Sequence, residues 1–318
     1  MIRPAAALVA TLVVSLSGCK GDERSTPPAG ASVQEVALSG AAVMIGTGDI
    51  AVCGKDGDEA TAALVDSVLK LDSAANVETA VFTIGDNVYP GGSASDFAEC
   101  FTPSWGDPQK SIMKVVRPAP GNHDYRTPGA AAYYEYFGDR AGPRGRGYYS
   151  YEVGEWHVVS LNSEIAASPR TPNAARAQEE WLRKDLADNP GACTLAYFHR
   201  PLFSSGDHGA DRAMRPLWDI MFEMGVDVVL SGHEHNYERF LPQTPAGVAD
   251  SVRGIEQIVV GTGGAGLRGI RKKLAPNSAV TIHGYFGVLK LNLGAGEYRR
   301  AFIDTTGRIW DSGGRRCS

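Results

Sequence analysis

Residues 82–90 read FTIGDNVYP. A largely apolar run, Thr79–Ile84, stops at Gly85 and is followed at once by Asp86 and then Tyr89. A buried strand that delivers a carboxylate and a phenol to its carboxyl end contributes little to a core. It suits a metal site, because hard cations take oxygen donors held on rigid support. A lone Gly-Asp after a strand is ordinarily a turn, so the reading depends on matching donors at other strand ends.

Upstream, Ala41–Ile45 is apolar and ends in Gly46-Thr47-Gly48-Asp49. Between the two runs, Glu59–Leu71 carries Leu64, Val65, Val68, Leu69 and Leu71 near helical spacing. Strand, helix, strand predicts a right-handed crossover with parallel strands. Asp49 and Asp86 then share the carboxyl edge, where open α/β sheets hold ligands.

Downstream, Val115–Pro120 leads into Gly121-Asn122-His123-Asp124. Tyr133–Tyr151, rich in Tyr, Gly and Arg, reads as a surface loop with a hairpin, or else as a cleft wall offering Arg144 or Arg146 to phosphate. Glu155–Leu161 reads as a strand and Ala174–Leu186 as a helix. Cys193–Phe198 is a strand ending at His199, and Asp211–Met224 a helix interrupted near Pro216. Val226–Leu230 reads as a buried strand ending in Ser231-Gly232-His233-Glu234-His235. Two imidazoles at i and i+2 after such a strand are hard to satisfy as structural groups. Glu256–Val260, Tyr285–Leu291, Glu297–Ile303 and Arg308–Trp310 read as further strands. Gly261–Gly266 (GTGGAG) has no evident helix after it, so a tight loop near the site fits better than a dinucleotide loop.

The 318 residues are 43% hydrophobic and 21% charged, enough for a sizeable core. A net charge of −5 provides no basic field, which argues against stable nucleic-acid binding. An anionic substrate would need a local positive centre, which metal ions can provide. Met1–Arg3 is basic, Ala5–Leu16 is apolar but too short to span a bilayer, and Leu16-Ser17-Gly18-Cys19 follows. This resembles a lipoprotein signal with lipidation at Cys19; an ordinary secretory peptide is the alternative. Residues 1–18 are expected to be the signal, 19–40 a flexible tether and 41–318 the catalytic domain. The expected location is the cell envelope, with secretion as the alternative.

Cys53, Cys100, Cys193 and Cys317 allow three pairings. Cys53–Cys100 is favoured because both fall in loops leaving strand ends beside the site, and Cys193–Cys317 follows. A four-cysteine zinc site lacks close Cys pairs.

In chain order the pieces GD, GDNVY, GNHD, a strand-terminal His and GHEH resemble the calcineurin-like metallophosphoesterases, and the purple acid phosphatase branch in particular. Most of that superfamily has His two positions after the first Asp. Ala51 stands there, and Tyr89 takes the role, as in purple acid phosphatases, which have Gly at the place of Ala51. The resemblance implies an α/β fold, a four-layer αββα sandwich of two mixed sheets flanked by helices. The tether is too short for the extra N-terminal sandwich domain of the plant enzymes, so one catalytic domain is expected. One metal would be held by Asp49, Asp86, Tyr89 and His235, the other by Asp86, Asn122, His199 and His233, with Asp86 bridging. The first ion would be Fe(III), the second Fe, Zn or Mn. This order suits a phenolate with two carboxylates at a trivalent ion, and imidazoles with an amide at a divalent one. His123 and His208 would bind phosphate or protonate the leaving group, with Asp124 orienting His123. His157, within a strand, reads as structural, and His283 has no assigned role. The implied activity is hydrolysis of phosphate monoesters by a metal-activated hydroxide, the partner being a small phosphorylated substrate. A phosphodiesterase or nucleotidase uses the same centre, and a non-catalytic metal-binding surface lipoprotein is the alternative of another class.

Overall fold

The computed structural model describes residues 42–191 and 193–318. The signal, the tether and Cys19 lie outside the described residues.

The apolar runs at Ala42–Thr47 and Thr79–Ile84 are parallel neighbours, with Val43 opposite Thr79 and Thr47 opposite Thr83. The Gly57–Ala74 helix joins them as a crossover. Val116–Ala119 adds a third parallel strand. On the other side the Gly287–Gly294, Glu297–Asp304 and Ile309–Arg316 strands form an antiparallel meander, completing a six-stranded sheet. The second sheet has seven strands in the order Ser278–Ile282, Tyr237–Phe240, Glu256–Val260, Val228–Ser231, Cys193–Tyr197, Trp156–Ser160, Tyr149–Val153. Its four central strands are parallel.

Side-chain alternation explains why these strands read as continuous apolar runs. Met44, Phe82 and Ile84 point between the sheets, against Tyr197, Leu230 and Ile258. Ile45 and Val81 point outward, onto Val65, Val68 and Leu69 of the first helix. On the far side, Val159, Ala196 and Val229 pack under Leu182 and Leu186 of the Pro172–Asp188 helix and Trp218 of the Arg215–Glu223 helix. A strand buried on both faces has no polar alternation to show. The result is the expected helix-sheet-sheet-helix sandwich.

The disulfides are Cys53–Cys100 and Cys193–Cys317, spanning 47 and 124 residues. Loop-closure entropy gives them about 4 and about 5 kcal/mol respectively. The first ties the Ala51–Val52 strand to the Phe97–Phe101 turn beside the site.

Several local readings need correction. Tyr133–Tyr151 is not a surface loop in its first part: Ala131–Phe137 is a helix burying Tyr133, Tyr134 and Phe137 in the outer core. Its hairpin is real, with Tyr149–Val153 paired to Trp156–Ser160. The break expected near Pro216 falls just before it, where a 3-10 turn, Arg212–Met214, gives way to the Arg215–Glu223 helix; Pro216 sits in that helix's first turn, where its missing N–H is harmless. The last strand extends to Arg316 despite the polar stretch DSGGRR, because pairing with Glu297–Asp304 carries it.

Candidate metal centre

Strand register brings the donors together. Pairing continues past the strand ends: Asp49 N–H donates to Gly85 O at 3.1 Å and Ile50 N–H to Asp86 O at 3.0 Å. A short parallel ladder between Ala51–Val52 and Val88–Tyr89 then folds Tyr89 back over Asp86. Ala51 is buried in that ladder, opposite Val88. In the second sheet, Gly232 N–H donates to His199 O at 3.0 Å, setting the GHEH turn beside His199. Asp49, Asp86 and His233 adopt left-handed backbone, with φ of 58°, 47° and 69°. Such conformations in non-glycine residues cost about 1–3 kcal/mol each and cluster at functional sites.

Two sets of donor atoms result. Tyr89 Oη lies 2.8 Å from Asp49 Oδ1, 3.0 Å from Asp86 Oδ2 and 3.2 Å from His235 Nε2. His235 Nε2 is itself 3.2 Å from Asp49 Oδ1. His199 Nε2 lies 3.3 Å from Asp86 Oδ2, 3.2 Å from Asn122 Oδ1 and 3.2 Å from His233 Nδ1. Asp86 Oδ2 belongs to both sets. The other oxygen of each carboxylate is taken: His123 N–H donates to Asp86 Oδ1 at 2.6 Å, and His233 N–H to Asp49 Oδ2 at 2.8 Å.

Proton accounting shows what the sets fit. His199 Nδ1–H donates to Ile84 O at 2.8 Å, and His235 Nδ1–H to Gly266 O at 2.6 Å. In the neutral rings Nε2 is therefore a bare lone pair, and around His199 it faces other acceptors. Burial resists charging His199, yet the Asp86 carboxylate outweighs it and pushes the imidazole up to about 10. A single proton still points at only one of the converging acceptors. Asp49, Asp86 and His199 are all buried, where unmatched lone pairs are expensive. A cation satisfies them all at once. Spacings near 3 Å are those of atoms sharing an ion at about 2.0–2.2 Å. The Tyr89 phenol agrees, since burial and the carboxylates of Asp49 and Asp86 hold its pKa well above 10. Only a strongly acidic cation displaces such a proton.

Asn122 and His233 are half-buried, so the second set faces the opening. His123 stands there with its ring 4.2 Å from Tyr89, Nδ1–H donating to Pro90 O at 2.6 Å and Nε2 3.9 Å from Asp86 Oδ2. Burial lowers the basicity of this imidazole. His208 lies beside the second set, its ring 4.5 Å from that of His233.

Asp124 does not orient His123. Its Oδ2 accepts from Gly121 N–H at 2.8 Å and Asn87 Nδ2–H at 3.0 Å, so it braces the turn from beneath. Burial, with Asp86 nearby, pushes its carboxyl up to about 7. The Pro90 carbonyl holds His123, and a backbone acceptor leaves no trace in sequence. Arg144 and Arg146 are exposed and make no contact with the donor sets. His157 is structural, its ring bonded to Glu152 Oε1 at 2.7 Å and Asp185 Oδ2 at 2.8 Å. Sequence reasoning also missed Arg268, which lies against His208.

A family model described as calcineurin-like phosphoesterase matches residues 44–237, which include every donor of both sets. An uncharacterized protein of Mycobacterium tuberculosis is 30% identical over 183 residues, 46% of this chain and 35% of that protein. Purple acid phosphatase 15 of Arabidopsis thaliana is 27% identical over 192 residues, 50% of this chain and 35% of that protein. The chain thus spans about a third of the length of these relatives. Among solved structures, a purple acid phosphatase from yellow lupin seeds superposes with a TM-score of 0.70 at 22% identity, covering 87% of this chain and 54% of that one.

Proposed function

Because the chain belongs to the calcineurin-like phosphoesterase family, in its purple acid phosphatase-like branch, we propose that it hydrolyses phosphate monoesters at a binuclear metal centre. The observation that carries this reading is the shared Asp86 Oδ2, common to two sets of converging donors. The first set, Asp49, Asp86, Tyr89 and His235, fits Fe(III). The second, Asp86, Asn122, His199 and His233, fits a divalent iron, zinc or manganese ion. Bound together, two such ions supply Lewis acidity towards a phosphate ester and a nucleophile from water at neutral pH.

The chain's own residues then have defined tasks. His123 and His233 hold Asp86 Oδ1 and Asp49 Oδ2 through their backbone N–H groups, leaving one oxygen of each carboxylate free. Pro90 O fixes the His123 proton on Nδ1, which turns Nε2 towards the opening. From there His123 can bind a phosphate oxygen or hold the proton destined for the leaving group. His208, with its ring against that of His233, is placed to meet a substrate bound at the second set.

The test is metal analysis with a visible spectrum on protein purified without added metal. Wild type is expected to carry two metals including iron, with a colour that Tyr89→Phe loses. Asp86→Ala is expected to lose both metals. A fully metallated Asp86→Ala variant would remove the bridging assignment. A phosphate monoester is expected to turn over faster than a diester; the reverse order would make the protein a phosphodiesterase. Metallated protein inactive on both would reassign it as a non-catalytic binder.

The leader-like start and the two disulfides support a place in the cell envelope, with lipid on Cys19 and one catalytic domain from residue 41 onward.

A further inference from the structure

The loop after the Glu256–Val260 strand passes over the metal centre. From Gln257 to Gly296 the chain has no Asp or Glu, although the protein is acidic. Arg268, Arg271, Lys272 and Lys273 fall together in this stretch. The loop's backbone is built into the centre. Ala265 N–H donates to Asp49 O at 2.9 Å, Gly266 O receives the His235 imidazole, and Arg268 N–H donates to His235 O at 2.9 Å. Arg271 N–H donates to Ser205 O at 2.9 Å, locking the loop to the segment that carries His208.

Among the described residues, no carboxylate oxygen lies within 4 Å of the charged end of any of these four side chains, whereas Arg183, Arg200, Arg215, Arg239 and Arg300 all have carboxylate partners. Arg268 is half-buried. Its Nη1 is 2.7 Å from Nδ1 and 2.8 Å from Nε2 of His208. Near-equal distances to both nitrogens put the cation against the ring rather than on one lone pair. Glu234, the buried carboxylate nearby, feels the Arg268 charge but makes no direct pair with it: Oε1 accepts from Gly209 N–H at 2.6 Å and Oε2 lies 3.5 Å from His208 Nδ1. A half-buried guanidinium with no carboxylate oxygen in direct contact keeps donors unmatched. Its planar fork suits a phosphate or carboxylate. The His208 ring connects it to His233, a donor of the second set.

We propose that Arg268, with His208, forms a second anion subsite beside the metal centre, selecting phosphoesters that carry a further phosphate or carboxylate group. Lys272 and Lys273 extend the same basic rim outward. This rests on the hydrolytic reading above, and it goes further by naming the substrate class.

The experiment compares fructose 1,6-bisphosphate with fructose 6-phosphate as substrates of the metal-loaded wild type and Arg268→Gln. It also measures binding of methylenediphosphonate and inorganic phosphate to both proteins by calorimetry. Arg268→Gln is expected to lower the bisphosphate-to-monophosphate ratio of kcat/KM at least tenfold, chiefly through KM, and to weaken the diphosphonate at least tenfold more than phosphate. Arg268→Lys is expected to recover part of both. Equal losses on both members of each pair, or none, would overturn the subsite. If wild type hydrolyses neither ester but Arg268→Gln selectively weakens the diphosphonate, the subsite stands and the hydrolytic reading falls. If the ratios hold while Lys272→Gln/Lys273→Gln abolishes sedimentation with phosphatidylglycerol vesicles, the rim is a membrane contact and the proposal fails.

Discussion

At the scale of single residues, the division of labour within a carboxylate matters more than its presence. Asp49 and Asp86 each give one oxygen to a backbone N–H and keep the other for the donor sets, so each ligand's aim is set by a neighbouring turn. His157 shows an imidazole of the opposite kind. Burial resists its charge, but hydrogen bonds to Asp185 and Glu152 win and raise its pKa above the usual 6.5. A pKa raised on folding stabilises fully below the unfolded value and fades as pH rises through the folded one. His157→Gln is therefore expected to cost about 1.5–3 kcal/mol near pH 5, the range for hydrogen bonds to charged groups. It should cost clearly less near pH 9. Urea unfolding at the two pH values checks this; an equal loss at both would show that the ring is neutral in the folded protein.

At the scale of elements, the site consists of turns that begin where strands end. Gly121 shows how little room they leave, since a Cβ there would fall 2.4 Å from Asp86 Oδ1 and 2.3 Å from Asp86 N. Gly261 is similar, with a Cβ 2.5 Å from Asp49 Oδ2. Gly121→Ala must push the shared carboxylate away from its position. It is expected to bind metal at least tenfold more weakly while keeping the wild-type far-ultraviolet circular dichroism. Metal analysis after dialysis against a weak chelator reads the effect, and unchanged retention would show that the turn can shift without moving Asp86.

At the scale of the whole molecule, the centre exists only because two sheets meet at a fixed offset. Asp49, Asp86 and Asn122 follow strands of one sheet, His199, His233 and His235 strands of the other. A buried charged cluster ties the sheets together: Arg300 reaches Glu256 at 3.1 Å, Arg239 reaches Asp311 at 2.7 Å, and Tyr298 donates to Glu256. Removing one partner of such a pair strands the other charge in the core. Arg300→Met is expected to lower the unfolding free energy by about 3–5 kcal/mol, read by urea denaturation. Pairing it with Glu256→Gln should restore part of the loss, and a purely additive pair would argue against the tie. Lipid on Cys19 would hold the domain at a membrane surface. Palmitate labelling of the wild type that is lost in Cys19→Ser is the expected result; labelling that survives would place the lipid elsewhere, and a wild type that takes up none would leave an ordinary secreted protein.

Much of this was legible in the sequence because strand ends are. Apolar runs broken by Gly-Asp, Gly-Asn-His-Asp and Gly-His-Glu-His announce the parallel strands and the donors at their edge through residue type and local spacing, while the layer order came only with the family resemblance those motifs carry. The Ala131–Phe137 helix and the Tyr237–Phe240 and Ser278–Ile282 strands were not legible, since packing and pairing with distant partners, rather than their own pattern, hold them in place. The same limit applies inside the site. Residue identity determined that carboxylates, imidazoles, an amide and a phenol would gather at one edge. Only the tertiary structure decided that Pro90 rather than Asp124 holds His123, and that an arginine 60 residues beyond His208 lies against its ring. Backbone carbonyls carry no side-chain signature, and contacts across loops depend on how two sheets stack.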